Sequence, residues 1–276
     1  MFVKAIKNAI TFTKPFLTGK ILYKDRQLIN GINTVIVLNE EGDLLTCAHV
    51  ADAFLIADDI NDAFPPILKE IKSVKTSKIE KLEKQYNIKS DTIIAMHNIL
   101  IDIAQKPGRL TIIKHEYLDL AIIKIENKDK IFVNNFPVFN TKITEIGTSI
   151  CGLGFAFPEY DTFAYDYENE KIITTNKVMN FPIFPLNGIV TRLVADQNNE
   201  ITLFETSMQV IPGQNGGPVL NEKGEVIGML IGTKRFNSYM GENRSSFIDL
   251  GLSINSNTIV KFLEENNIKY NKAGEK

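Results

Sequence analysis

Short β-branched runs broken by polar or glycine-containing turns recur along most of this chain, and that pattern constrains its fold more than any other feature. Residues 33–39 form one such run, 40–43 a turn, and 44–46 the start of a return strand. The same arrangement returns at 218–220, 221–224 and 225–231, with further runs at 110–113, 120–125, 148–152, 188–194 and 201–206. Many short strands joined in this way predict an all-β sandwich or barrel, and their number suits two small barrels better than one. With 276 residues the chain is long enough for each to bury a core.

Three segments depart from the strand pattern. Residues 1–20 carry lysines among scattered apolar positions and read as a short amphipathic helix packed on the body. From about 58 to 105 the spacing of Ile67, Ile71, Val74, Leu82 and Tyr86 is helical. Pro65 and Pro66 would start that helix, and a second would follow near 91–104, making a helical hairpin inserted in a β domain. Its lysines at 69, 72, 75, 78, 81 and 84 recur every third residue, so they wind around the helix instead of lining one face. This stripe is either a solvated surface or a docking site for an acidic regulatory partner. Near the end, Ser256 would cap a helix whose apolar stripe is Ile259, Val260, Phe262 and Leu263. The expected organisation is an N-terminal segment at 1–27, a first barrel at 28–140 holding the 58–105 insertion, and a second barrel with the closing helix at 141–276.

Composition removes several function classes. The charge of −2 leaves no bulk electrostatic case for nucleic-acid binding. No apolar run reaches the roughly 18 residues of a membrane helix, so no membrane partner is expected. Two cysteines, Cys47 and Cys151, cannot make a disulfide framework, and a cytoplasmic setting is the simplest expectation. His97 and His115 lack paired ligand spacing, so neither a metal nor a cofactor is expected.

The chemistry concentrates in three short segments. Leu45-Thr46-Cys47-Ala48-His49-Val50 places a histidine just after a strand. Residues 117–125 place Asp119 at the opening of a buried strand, and Pro212-Gly213-Gln214-Asn215-Gly216-Gly217-Pro218 is a tight turn entering a hairpin. Each is weak alone. Together, the order His, Asp, glycine-rich turn is that of the chymotrypsin triad.

On these residues the chain resembles the trypsin-like, chymotrypsin-fold serine proteases, and most closely their HtrA-type branch. Residues 145–154 resemble the strand that opens that family's second barrel, 188–192 its following strand, and 251–256 the strand leading into its closing helix. The resemblance implies two six-stranded Greek-key β-barrels and endopeptide hydrolysis. It makes His49 the general base and Asp119 its orienting acid, with the backbone N–H groups of Gly213 and Asn215 as the oxyanion hole. It also implies that Ile231, Gly232 and Thr233 pair with substrate backbone, and that Gln209 lies at the base of the specificity pocket. Where the family has its nucleophilic serine, this chain has Asn215. A carboxamide nitrogen shares its lone pair with the carbonyl and cannot attack a peptide once His49 takes a proton. A peptide- or protein-binding pseudoprotease is therefore expected, the alternative being an inactivated form of an active cytoplasmic protease.

Overall fold

The computed structural model describes residues 2–104, 108–126, 130–142, 144–157, 161–175, 181–239 and 245–274. The chain opens with helix α1 (Val3–Ala9) and strands β1 (Thr13–Leu22), β2 (Leu28–Val37) and β3 (Leu44–Thr46). Helices α2 (Ala48–Ser73) and α3 (Thr76–Gln85) follow, then β4 (Ile93–Leu100), β5 (Leu110–Lys114) and β6 (Ala121–Ile125). These six strands form one sheet in the order β4-β1-β2-β3-β6-β5, a half-barrel.

The remaining strands are β7 (Val138–Phe139), β8 (Ser149–Gly152), β9 (Phe163–Asp166), β10 (Lys171–Thr174), β11 (Leu186–Ala195), β12 (Ile201–Thr206), β13 (Pro218–Leu220), β14 (Val226–Tyr239) and β15 (Ser245–Asn255). Helix α4 (Ser256–Glu265) and β16 (Asn271–Lys272) close the described chain. The second sheet runs β13-β8-β11-β12-β15-β14-β7-β16, and β13 also pairs with β14, so its first six strands close into a barrel. A mostly β, chymotrypsin-like two-barrel fold follows.

Burial explains why the two sheets hold together. Phe16, Ile36, Leu44 and Ile122 of the first sheet join Cys151, Leu153, Leu220, Met229 and Ile254 of the second in one continuous core. Ala5 and Ala9 of α1, and Ile259, Phe262 and Leu263 of α4, seal it from outside. Each fully buried large side chain contributes about 1.5–3 kcal/mol of transfer free energy. Inside the closed barrel Ile150, Val190, Phe204, Met208, Val219 and Leu230 form a separate core.

Four expectations change. The N-terminal helix is only seven residues long, and β1 follows as a strand between β2 and β4. Its Pro15 is accommodated because pairing with β4 begins only at Phe16, so the missing N–H is not required there. Helix α2 starts at Ala48, well before Pro65 and Pro66, which lie inside it. The second helix expected near 91–104 is strand β4, paired with β1 from Phe16↔Leu100 to Leu22↔Ile93. The segment between His49 and Asp119 therefore supplies part of the first sheet, and the expected end of the insertion at Gln105 lies outside the described residues. Finally, α4 is capped by Asn255, whose Oδ1 accepts the Asn257 N–H at 3.0 Å. Ser256 instead donates its hydroxyl to Asn140 O.

Candidate active site

His49 lies in the first turn of α2, directly after β3. A helix N-terminus leaves its first N–H groups without intrahelical acceptors, and Cys47 at the N-cap makes no side-chain capping bond. Asp119, from the turn before β6, supplies the acceptor: its Oδ1 takes the His49 backbone N–H at 3.0 Å, and the Ala48 N–H also faces the carboxylate. The positive end of the helix dipole and these donors fix the carboxylate. Its Oδ2 then lies 2.6 Å from His49 Nδ1. One acid thus caps the helix and orients the imidazole that the helix carries.

The electrostatics follow from this geometry. Hydrogen bonding to Asp119 raises the His49 pKa above the ordinary imidazole value, although burial works against it. For Asp119, burial pushes the pKa upward, but the bonds from His49 and Ala48 outweigh it and hold the carboxyl below its ordinary range. The imidazole is half exposed, so it stays accessible from solvent.

Asn215 lies in the glycine-rich turn before β13, and its Nδ2 is 3.3 Å from His49 Nε2. The turn is fixed by backbone and buried side chains, not by Asn215 itself. Thr34 N–H donates to Asn215 O at 3.1 Å, Gly216 N–H to Leu230 O at 2.8 Å, and Gly217 N–H to Gln214 O at 2.9 Å. Gly213 and Gly216 have φ of +103° and +87°. A Cβ there would come within 2.2 Å of Phe155 O and 2.1 Å of Thr34 O, so both the conformation and the space demand glycine. The backbone N–H groups of Gly213 and Asn215 have no acceptor among the described residues. They are available to an incoming carbonyl oxygen.

Three supports were not apparent in the sequence. Thr34 Oγ1 donates to Gly213 O at 2.8 Å and accepts the Phe155 N–H at 3.0 Å, tying the turn to both sheets. Gln214, fully buried, accepts the Ile211 N–H at 3.0 Å and donates to Phe184 O at 2.8 Å. Cys47 lies two residues before His49, with its sulfur among the groups that face Asp119. The only advance signal was a polar residue inside an otherwise apolar strand.

Beside the turn is a cavity of about 670 Å³ lined by Leu186, Met208, Gln209, Val210, Thr233 and Asp249, among others. Gln209 Nε2 donates to Asp249 Oδ2 at 3.2 Å, and Arg235 grips Asp249 with two bonds of 2.8 and 3.0 Å. The carboxylate at this cavity is therefore already paired. Thr233 Oγ1 donates to Val210 O at 3.0 Å, and Gly232, at φ +148°, follows the bulge between Leu230 and Gly232. Beyond Met229, where its pairing with β13 ends, β14 is bonded to β15 on one edge; from Ile231 to Lys234 the opposite edge has no strand partner among the described residues.

Cys47, His49 and Asp119 each place one ligand atom within 4.8 Å of the others. This set does not fit a metal as arranged. The 2.6 Å between Nδ1 and Oδ2 is shorter than the roughly 3.3 Å separating two ligands of a tetrahedral zinc ion. Burial, followed by the Asp119 charge, also raises the Cys47 thiol well above its ordinary pKa, keeping it protonated. The other histidines serve packing: His97 lies edge-on to Phe163, and His115 accepts the Tyr117 and Leu118 N–H groups while its ring meets Phe262.

Comparison with known proteins gives one family. The model described as "Trypsin-like peptidase domain" matches residues 33–229, a span that takes in His49, Asp119 and the glycine-rich turn. No curated protein matches the chain.

Proposed function

The chain belongs to the trypsin-like peptidase domain family, and from that premise we propose that it is a pseudopeptidase of the HtrA-type branch that holds peptide without cutting it. One observation carries the reading: a carboxamide, Asn215, meets His49 Nε2 at 3.3 Å where a nucleophilic hydroxyl is needed. His49 and Asp119 keep the roles of base and orienting acid, and the Gly213 and Asn215 amides still offer two donors to a carbonyl. An extended peptide pairs along Ile231, Gly232 and Thr233, using the edge of β14 that has no strand partner among the described residues. Its side chain enters the cavity above Gln209.

The pocket also indicates a side-chain class. Leu186, Met208 and Val210 are apolar, and Asp249 is neutralised by Arg235. An aliphatic side chain fits, whereas a lysine or arginine finds no unpaired carboxylate there. Two buried free cysteines accord with a reducing, cytoplasmic setting. The intact His49–Asp119 contact supports a second reading, in which this is the inactivated form of a cytoplasmic protease that has serine at 215.

Fluorescence anisotropy tests the proposal, using labelled extended peptides that differ only at one central residue, leucine, aspartate or arginine. The expected result is saturable binding of the leucine peptide, weakened by Thr233→Trp at the pocket mouth, with every peptide recovered intact. Cleavage by the unaltered chain, or no binding of any peptide, would overturn it.

A further inference from the structure

The glycine-rich turn has a different neighbour on each flank. On one side, Gly216 and Gly217 are bonded through their backbone to Leu230 of β14. On the other, Gly213 and Gln214 meet two paired segments, 154–157 and 183–184. Phe155 bridges to Ile183, the Phe184 N–H donates to Gly154 O at 2.7 Å, and Phe184 O accepts Gln214 Nε2 at 2.8 Å. Phe155 O lies so close to Gly213 that a Cβ there would come within 2.2 Å of it. Phe157 and Phe184 stand together on this second flank, with ring centroids 5.6 Å apart and planes at 83°.

Two independent observations set the pair apart. Both rings are exposed, Phe157 by 55% and Phe184 by 37%, whereas Phe155 beside them is buried. Aromatic rings left in water forgo the transfer free energy that covering them would release. Phe157 also has φ +58°, a left-handed conformation that is costly for a residue with a Cβ. Such backbone outliers cluster at ligand clamps and active sites.

We infer that Phe157 and Phe184 are specificity-determining residues, which receive a large apolar side chain on the peptide residue following the carbonyl held by the Gly213 and Asn215 amides. The occupant follows from continuity with the cleft. Phe184 also lines the cavity of about 670 Å³ that takes the preceding side chain. A peptide that leaves the edge of β14 and crosses the turn therefore arrives at the second flank. An aromatic ring there packs edge-to-face on the pair and covers both rings. The inference rests on the proposed binding of an extended peptide, and adds a second side-chain preference to it.

The test uses two labelled peptides with leucine at the cavity position, differing only in the next residue, phenylalanine or glycine. Fluorescence anisotropy gives the ratio of their affinities for the unaltered chain, Phe157→Gly and Phe184→Ala. The unaltered chain should prefer the phenylalanine peptide about tenfold, and each variant should lose most of that preference. Equal affinities in the unaltered chain, or a preference that survives both substitutions, would overturn the inference and leave the cleft reading standing. Failure of both peptides to bind the unaltered chain would overturn the two together. A second measurement needs no peptide and separates recognition from packing. Glycine adopts φ +58° without strain, so Phe157→Gly should raise the urea midpoint; a lower midpoint would show that the ring is a packing element of the fold and refute its role as a receptor.

Discussion

Replacing Asn215 by serine should restore a working nucleophile, and the structure sets the size of the gain. The turn that presents residue 215 is held by the Thr34, Gly216 and Gly217 amides and does not depend on the Asn215 side chain. His49 is already aligned by a 2.6 Å bond to Asp119, and the Gly213 and Asn215 amides have no acceptor among the described residues. On the proposed reading only the hydroxyl is missing. Loss of the nucleophile from such a triad costs about 10⁶ in turnover, or about 8 kcal/mol at 1.36 kcal/mol per tenfold. Serine Oγ stands one bond from Cβ where Asn215 Nδ2 stands two, so the 3.3 Å contact opens by up to about one bond length before the half-exposed imidazole swings in. A misplacement of about 1 Å costs about 10². The predicted gain is therefore about 10⁴- to 10⁶-fold over the unaltered chain. Fluorophosphonate labelling, followed by turnover of a fluorogenic peptide with an aliphatic residue before the scissile bond, measures it, with Asn215→Ala as the silent control. A folded Asn215→Ser variant that neither labels nor cleaves would refute the argument that residue 215 is the sole lesion.

Three further outcomes follow from the same geometry. Because His49 is raised above its unfolded-state value, its stabilising contribution is complete below about pH 6.5 and fades as pH rises through the folded-state value; the urea midpoint of His49→Gln should therefore fall furthest behind the unaltered chain near pH 6, and a gap that does not change with pH would refute this. Gly217→Ala places a Cβ 1.9 Å from Leu153 O and 2.9 Å from Gln214 O, backbone atoms that cannot rotate away. It should cost about 3 kcal/mol in urea unfolding, from overpacking and weakened turn bonds; a loss under about 1 kcal/mol would show that the turn can relax. Asn215-Gly216 is a dipeptide prone to imide formation through attack of the glycine nitrogen on the carboxamide carbon, but here that nitrogen is buried and bonded to Leu230 O at 2.8 Å. Peptide mapping after long incubation at neutral pH should find Asn215 intact in the folded chain and deamidated in urea.

The three segments that carry His49, Asp119 and Asn215 were legible because each is a short local pattern beside a strand end, and their order along the chain is itself informative. What escaped was whatever depends on a partner far away in sequence. Helix α2 begins at Ala48 because Asp119, about 70 residues on, accepts the His49 N–H in its first turn, and nothing near Cys47 announces that cap. The stretch Ile93–Leu100 mixes both apolar periodicities and becomes a strand only by pairing with β1. In β1 itself, Pro15 and Gly19 obscured a strand whose register is set by β2. Thr34 and Cys47 read as ordinary strand and loop residues until the fold brought the glycine-rich turn against them.

Strand β4 has a bearing on how the chain reaches this state. Phe16 must find Leu100 across more than eighty residues, and β1 has β4 as one of its two neighbours in the sheet. A flexible loop of that length closes slowly, because its entropy is lost before any contact compensates. Helices α2 and α3 occupy most of the stretch between β3 and β4 and form from local contacts, which arise within microseconds. Asn61 of α2 then meets Met96 of β4 with two bonds, donating to its carbonyl at 2.7 Å and accepting its N–H at 3.0 Å as a neighbouring strand would. The helix thus serves as a splint for a late-arriving strand, and the base of the candidate site rides on its first turn. Aligning the imidazole and completing the first sheet are accordingly coupled events in folding, joined through one continuous piece of secondary structure.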